Sequence, residues 1–245
     1  MSDLRVAVVT PTIGTQYLWE CLDSIQRQTY SNLVHHIFID GEEYNTRVER
    51  DILSFGGNNV RVNRLQDNIG HGQWYGHRIY AASAFLVNAD IICYLDEDNW
   101  VDPEHIESLV DVIERGYDWA YSLRKICNKE GKYICNDDCE SLGKWPIFNL
   151  NNTHIDTSCY GVKISIATKI NQAWYGQWGA DRNYFSALKT YFPKFECTGK
   201  YSVRYRLDGN PGSVTKEFFE EGNKINNQRY NGIFPWKDCQ KDING

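Results

Sequence analysis

Short blocks dominated by apolar side chains alternate along this chain with longer periodic stretches. Arg5–Thr10 (RVAVVT), His36–Ile39 (HIFI) and Ile91–Leu95 (IICYL) are such blocks. They predict strands buried on both faces, the habit of a parallel sheet. Between the first two, Leu18, Cys21, Leu22 and Ile25 recur at the i, i+3, i+4, i+7 spacing of one helix face. Strand, helix and strand in close succession make a βαβ unit with parallel strands and a right-handed crossover. Val60–Leu65 (VRVNRL) alternates and predicts a strand near an edge. A Gly-containing loop over Asp67–Gly72 leads to a helix expected from Trp74 to Asn88.

After the IICYL block, Ile106, Leu109, Val110 and Ile113 form one apolar stripe. That helix is expected to open with Asp102 as N-cap and Pro103 in its first turn, and to end at Gly116. Trp119–Leu123 predicts a strand. From Arg124 to Asp156 the pattern loosens into a hairpin and a long excursion, expected to face a substrate. A strand over Cys159–Ile164, a helix over Ser165–Trp174, a helix opening at Gly179-Ala180-Asp181 and a strand over Lys200–Leu207 follow. Beyond Leu207 the aromatics show no clear period, which predicts a loosely packed tail or flap. The whole is an α/β fold with a mostly parallel central sheet flanked by helices. It divides near residue 123 into a ligand-binding part (1–123) and a C-terminal lobe (124–245).

Composition narrows the class. At 245 residues, 42% hydrophobic and 24% charged, the chain is long enough for a core without staples. A net charge of −6 gives no basic footprint for nucleic acid. No apolar run is long enough to span a membrane, and the N-terminal MSDLRVAVVTPT leads into structure rather than reading as a signal peptide. The expectation is a cytoplasmic protein with reduced cysteines, with peripheral membrane attachment left open. Cys127, Cys135 and Cys139 lie close in sequence, but their spacing matches no paired zinc motif.

The chemistry concentrates where IICYL runs into Asp96, Glu97 and Asp98. Three carboxylates at the end of a buried strand need a cation or strong donors. Ligands of open α/β sheets sit at the carboxyl ends of strands, and oxygen-only ligands favour Mg2+ or Mn2+ over zinc. Thr10-Pro11, Asp40 and Asp96 all end strands expected to be parallel, so one rim carries a turn, a lone carboxylate and an acidic cluster. That rim suits a nucleotide: a carboxylate accepts from base or ribose, and a metal neutralises a diphosphate. Arg124, Arg204 and Arg206 are candidate phosphate ligands. Trp145, Trp174, Tyr175 and Trp178 are candidate stacking platforms.

Taken in order, VVTPTIG, CLDSIQRQTYSN, FIDG, DNIGHGQWYGHR, YLDEDNWVDPEHIESLV, GADRNYF and YRLDGNPGS resemble an inverting glycosyltransferase of family 2 on the Rossmann-like GT-A fold. The resemblance covers roughly residues 4–215 and rests on the ordered set rather than on any one motif. It implies that Thr10, Pro11 and Asp40 contact the nucleotide base. It also implies that Asn68, Gly70 and Arg78 line the base, ribose and diphosphate. Asp98 would bind the metal directly, with Asp96 nearer the ribose or a metal-bound water. Asp181 would be the catalytic base. Related enzymes often place a His near the YR…S segment; here Asp208 stands about there, and His154 is a second candidate ligand. Asp156 and Trp178 are candidates for the acceptor side.

The expected activity is metal-assisted transfer of a sugar from a nucleotide diphosphate to a hydroxyl of a glycan, lipid-linked or small-molecule acceptor. Two other readings stay open. A nucleotidyltransferase would open with a Gly-rich loop and a following Arg or Lys, whereas Thr10–Thr15 holds one Gly and no basic residue. A non-catalytic nucleotide- or carbohydrate-binding module would have no need of Asp181.

Overall fold

The computed structural model describes residues 3–57, 59–207 and 214–238. β1 (Val6–Thr12) is buried along its full length, because it lies between β2 (Leu33–Asp40) and β4 (Ile91–Tyr94), parallel to both. β3 (Val60–Leu65) continues the parallel order on the far side of β2, and its alternating, partly open pattern is that of an edge. Each Val or Ile fully buried here contributes about 1.5–3 kcal/mol over exposure, which explains why these blocks carry so few polar side chains.

Beyond β4 the order becomes mixed. β8 (Tyr160–Lys163) runs antiparallel to β4 and to β6 (Trp119–Cys127). β9 (Phe195–Arg206) is parallel to β6, and the short β5 (Trp100–Val101) pairs antiparallel with β9. β7 (Tyr133–Asn136) completes the expected hairpin with β6. The sheet order is therefore β3-β2-β1-β4-β8-β6-β9-β5, with β7 on β6. Helices α1 (Leu18–Gln26), α2 (Asn45–Phe55), α3 (His77–Ser83), α4 (His105–Glu114), α5 (Ile164–Ile170) and α6 (Ala180–Tyr191) flank it.

Several expectations need correction. α3 begins at His77, not Trp74, because Gly70–Gly76 forms a turn in which Gln73 and Tyr75 both take positive φ (70° and 51°). Asp102 does not cap α4: its carboxylate takes Arg204 at 2.6 Å and Lys125 at 2.5 Å, and Glu104 precedes the helix without a side-chain cap. Residues 214–238 are not a loose tail. α7 (Lys216–Arg229) buries Phe219, Gly222 and Asn226, and α8 (Pro235–Asp238) buries Trp236. That face carries one large apolar residue, so it shows no hydrophobic period. Gly222 is there because a Cβ would lie 2.7 Å from Cys139 Sγ and from Phe148. α2 escaped notice for a similar reason, since Val48 is its one fully buried side chain.

Candidate active site

A cleft of about 900 Å³ opens over the carboxyl ends of β1, β2 and β4 and reaches across to the start of α6. Pro11 and Thr12 from β1, Asp40 from β2 and Asp96–Asp98 after β4 form one wall. Thr10 does not line it. It lies two residues short of the β1 end and under α1, with its hydroxyl 2.9 Å from His35 Nε2 and 3.7 Å from Cys21 Sγ. Thr12 occupies the rim position instead.

Asp40 accepts the backbone N–H groups of Ile69 and Gly70, each at 2.8 Å. Burial raises its carboxyl above the ordinary range, with those two hydrogen bonds opposing. The loop is thereby fastened to the strand end, and it places Asn68 and Gly70 on the cleft. A side chain at Gly70 would put Cβ 2.5 Å from Asp40 Oδ2 and closer still to the Tyr75 carbonyl oxygen. Arg78 stands behind this loop rather than on the cleft. Its guanidinium donates to Ile69 O at 3.2 Å and stacks 3.8 Å over the Trp74 ring.

The three acidic residues after β4 have different partners. Asp96 Oδ1 accepts the Tyr80 hydroxyl at 2.7 Å. Burial raises its carboxyl well above the ordinary range, the nearby charges of Asp98 and Asp156 add to this, and the Tyr80 bond opposes it. Glu97 turns back to the β1–α1 turn, where its carboxylate accepts Thr12 Oγ1 at 2.6 Å, Thr15 N at 2.9 Å and Ile13 N at 3.2 Å. It ties the β1–α1 turn to the acidic motif, a role the sequence does not signal. Asp98 faces the cleft, and its carbonyl accepts Arg206 Nε at 3.0 Å.

Among the described residues no three His, Cys, Asp or Glu side chains converge as a metal centre. Mg2+ and Mn2+ usually take one or two carboxylates completed by substrate phosphates and water. Asp98 and Asp96 are the side chains suited to that share. His154 lines the same cleft; its Nε2 lies 3.4 Å from Asp181 Oδ2, and its buried Nδ1 has no partner. Asp208 lies outside the described residues.

Asp181 stands in the first turn of α6, after Gly179 in the left-handed conformation (φ 88°). Its Oδ1 accepts the Arg182 N–H at 2.8 Å, leaving Oδ2 toward His154, and its side chain is one quarter exposed to the cleft. Trp178, 68% exposed, edges the same opening, and the Arg182 guanidinium lies 4.7 Å over its ring. Trp174 is core, stacked on Tyr184 at 4.3 Å, while Trp145 packs against Trp236 and Tyr175 against Trp74.

Arg124 is not free to take phosphate. Its Nε donates to Asp137 at 2.8 Å, one terminal nitrogen to Asp156 at 2.7 Å and the other to Glu140, with the Tyr205 ring 4.4 Å away. Burial alone would raise Asp137, but Arg124 and the backbone N–H groups of Ser141 and Cys139 outweigh it and hold that carboxyl below its ordinary range. Asp156 and Glu140 still face the cleft. Arg204 serves Asp102, and Arg206 serves Glu20 and the Asp98 and Lys129 carbonyls.

A parallel β3-β2-β1-β4 half with an acidic motif at its rim, joined to a mixed half that brings a carboxylate across the cleft, defines a GT-A glycosyltransferase. The profile of Glycosyl transferase family 2 matches residues 7–168, and the chain belongs to that family. Among solved structures it is similar to S. aureus TarS 1–349, with a TM-score of 0.63, 12% identity, and 94% of this chain and 72% of that one covered. The same TarS fragment in complex with UDP-GlcNAc gives a TM-score of 0.63 and 15% identity over 98% of this chain and 70% of that one. An uncharacterised Haemophilus influenzae protein is 35% identical, over 36% of this chain and 72% of its own length.

Proposed function

We propose that this glycosyltransferase inverts the anomeric centre by direct displacement, with Asp181 as general base. The acceptor hydroxyl gives its proton to the Asp181 carboxylate as its oxygen bonds to the anomeric carbon. The bond from that carbon to the diphosphate breaks, and its electron pair leaves with the diphosphate. Asp98, with Asp96, would hold a Mg2+ or Mn2+ ion that neutralises the departing charge. Pro11, Asp40, Asn68 and Gly70 would seat the nucleoside, so residues 1–123 serve the donor and residues 124–245 supply the base and the acceptor side, where Asp156 and Trp178 stand. The observation that carries this reading is that Asp40, the Asp96/Asp98 pair and Asp181, from three separate segments, line one cleft.

Thermal shift against nucleotide diphosphates and their sugars, each with and without Mn2+, tests the donor site. The panel starts with UDP and UDP-GlcNAc, the ligands present in TarS complexes. A ligand that binds the folded state raises Tm with occupancy. A Mn2+-dependent shift lost in Asp98→Ala is expected. Asp181→Asn should keep the shift and lose transfer by about 10²–10⁴-fold. Absence of any shift, or an Asp181→Asn enzyme as fast as wild type, defeats the reading. Among the described residues no helix is long and apolar enough to cross a membrane.

A further inference from the structure

A second groove, of about 610 Å³, adjoins the cleft through His154 and Arg182. One wall is α6, where Arg182, Ser186 and Lys189 share a face at i, i+4 and i+7. The other is the loop that carries Asn151, Asn152 and Thr153, and Phe185 is the buried apolar contact between the walls. Among the described residues no Asp or Glu lines this groove.

Several cations of the fold are neutralised in pairs. Lys144 pairs with Glu196, Lys163 with Asp118, and Lys125 and Arg204 with Asp102. Among the described residues Arg182 and Lys189 have no carboxylate partner. Lys189 Nζ donates to Thr153 Oγ1 at 3.1 Å, and Arg182 lies on the Trp178 ring. In a chain of net charge −6, a concave site with two unpaired cations and no acid concentrates anions. A guanidinium fork and an ammonium both suit phosphate or carboxylate oxygens, while the amides and hydroxyls beside them suit sugar hydroxyls.

We infer that this groove is an acceptor subsite for a saccharide bearing an anionic group, phosphate or carboxylate. The inference rests on the reading of Asp181 as the base. Asp181 adjoins Arg182 on the cleft side, and Lys189 lies about 12 Å further along the helix axis. The anionic group therefore belongs not to the attacked sugar position but to a part of the acceptor further along its chain.

The test is an amide-NMR titration of the full chain, saturated with the nucleotide chosen by the thermal panel, with glucose 6-phosphate, glucuronate and glucose. Glucose 6-phosphate is expected to move the signals of residues 151–154 and 182–190, to bind more weakly as salt rises, and to lose at least 10-fold in affinity in Lys189→Glu. Glucuronate matching it assigns the subsite to either anion; glucuronate failing assigns it to phosphate. Glucose binding equally well, no anion moving the groove signals, or Lys189→Glu leaving affinity unchanged overturns the inference. Nucleotide binding is read in the same samples from residues 40 and 68–76. Nucleotide shifts without groove shifts sink this inference and leave the donor site standing; loss of both sinks the two together.

Discussion

Asp137, Glu140 and Asp156 gather round the Arg124 guanidinium, whereas the Asp96 carboxylate, on the same cleft, is held by the Tyr80 phenol and stands among the charges of Asp98, Asp156 and Asp181. Burial penalises ionised carboxylates in both places. In the first, a buried cation and backbone N–H groups offset it, and Asp137 stays ionised below its ordinary range. In the second, no such offset is built in, and Asp96 is driven the other way. One cluster is thus part of the scaffold that shapes one wall of the cleft. The other holds negative potential in reserve, and under the proposed function a metal arriving with the diphosphate is what relieves it.

The largest effect should come from dismantling the neutralised cluster. Arg124→Met leaves three carboxylates facing one another in a buried site, and removal of one partner of a buried pair costs about 3–5 kcal/mol. Urea unfolding should show that loss as a lower midpoint with unchanged slope. A variant as stable as wild type would mean that the carboxylates reach water or a proton instead.

Glu97 offers an intermediate test, because it belongs to the acidic run but is compensated like the Arg124 cluster. Thr12→Val removes the 2.6 Å hydroxyl donor, and a hydrogen bond to a charged group is worth about 1.5–3 kcal/mol. Equilibrium unfolding measures this, and the thermal panel should show weaker nucleotide binding as the β1–α1 turn loosens. Unchanged stability would show that the Ile13 and Thr15 N–H groups suffice.

The smallest effect has the opposite sign. A folded-state carboxyl raised above its unfolded value contributes stability below the ordinary carboxylate range and loses it as pH rises through the raised value. Asp96 therefore costs the metal-free protein stability near neutrality relative to acid. Asp96→Asn keeps an acceptor for Tyr80 and should raise Tm at pH 7. The gain should shrink on acidification and vanish below about pH 4, where the native carboxyl is protonated in both states. A Tm that falls at pH 7 would place a compensating cation beside Asp96 in the metal-free protein.

The parallel half was largely legible because its strands are buried on both faces and therefore carry unbroken apolar blocks. Val6–Thr12, Leu33–Asp40 and Ile91–Tyr94 stand within a few residues of where those blocks put them. Asp40, Asp96 and Asp98 were legible as a candidate site because each follows the end of a strand, whereas Asp181, at a helix start, was singled out only through the family resemblance. What the pattern concealed was pairing. Nothing local distinguishes Arg124, bound to three carboxylates, from an arginine that awaits phosphate. Likewise Asp102 looked like a cap until Lys125 and Arg204 arrived from distant strands. Thr10 and Thr12 differ in sequence by two positions, but one is sealed beneath α1 and the other faces the cleft. α7 and Trp236 escaped because their buried face is built from one phenylalanine, a glycine and an asparagine.

By itself the sequence determined the alternating α/β order, the buried centre of the sheet and the acidic rim. Those follow from periodicity and from the cost of burying charge, both of which act over a few neighbouring residues. Tertiary structure decided which carboxylates are neutralised, that His154 meets Asp181, and that α6 presents two cations without carboxylate partners beside Asp181. These depend on which distant segments share a dielectric environment, because Coulomb energies and hydrogen bonds are set by distances in space that no spacing along the chain encodes.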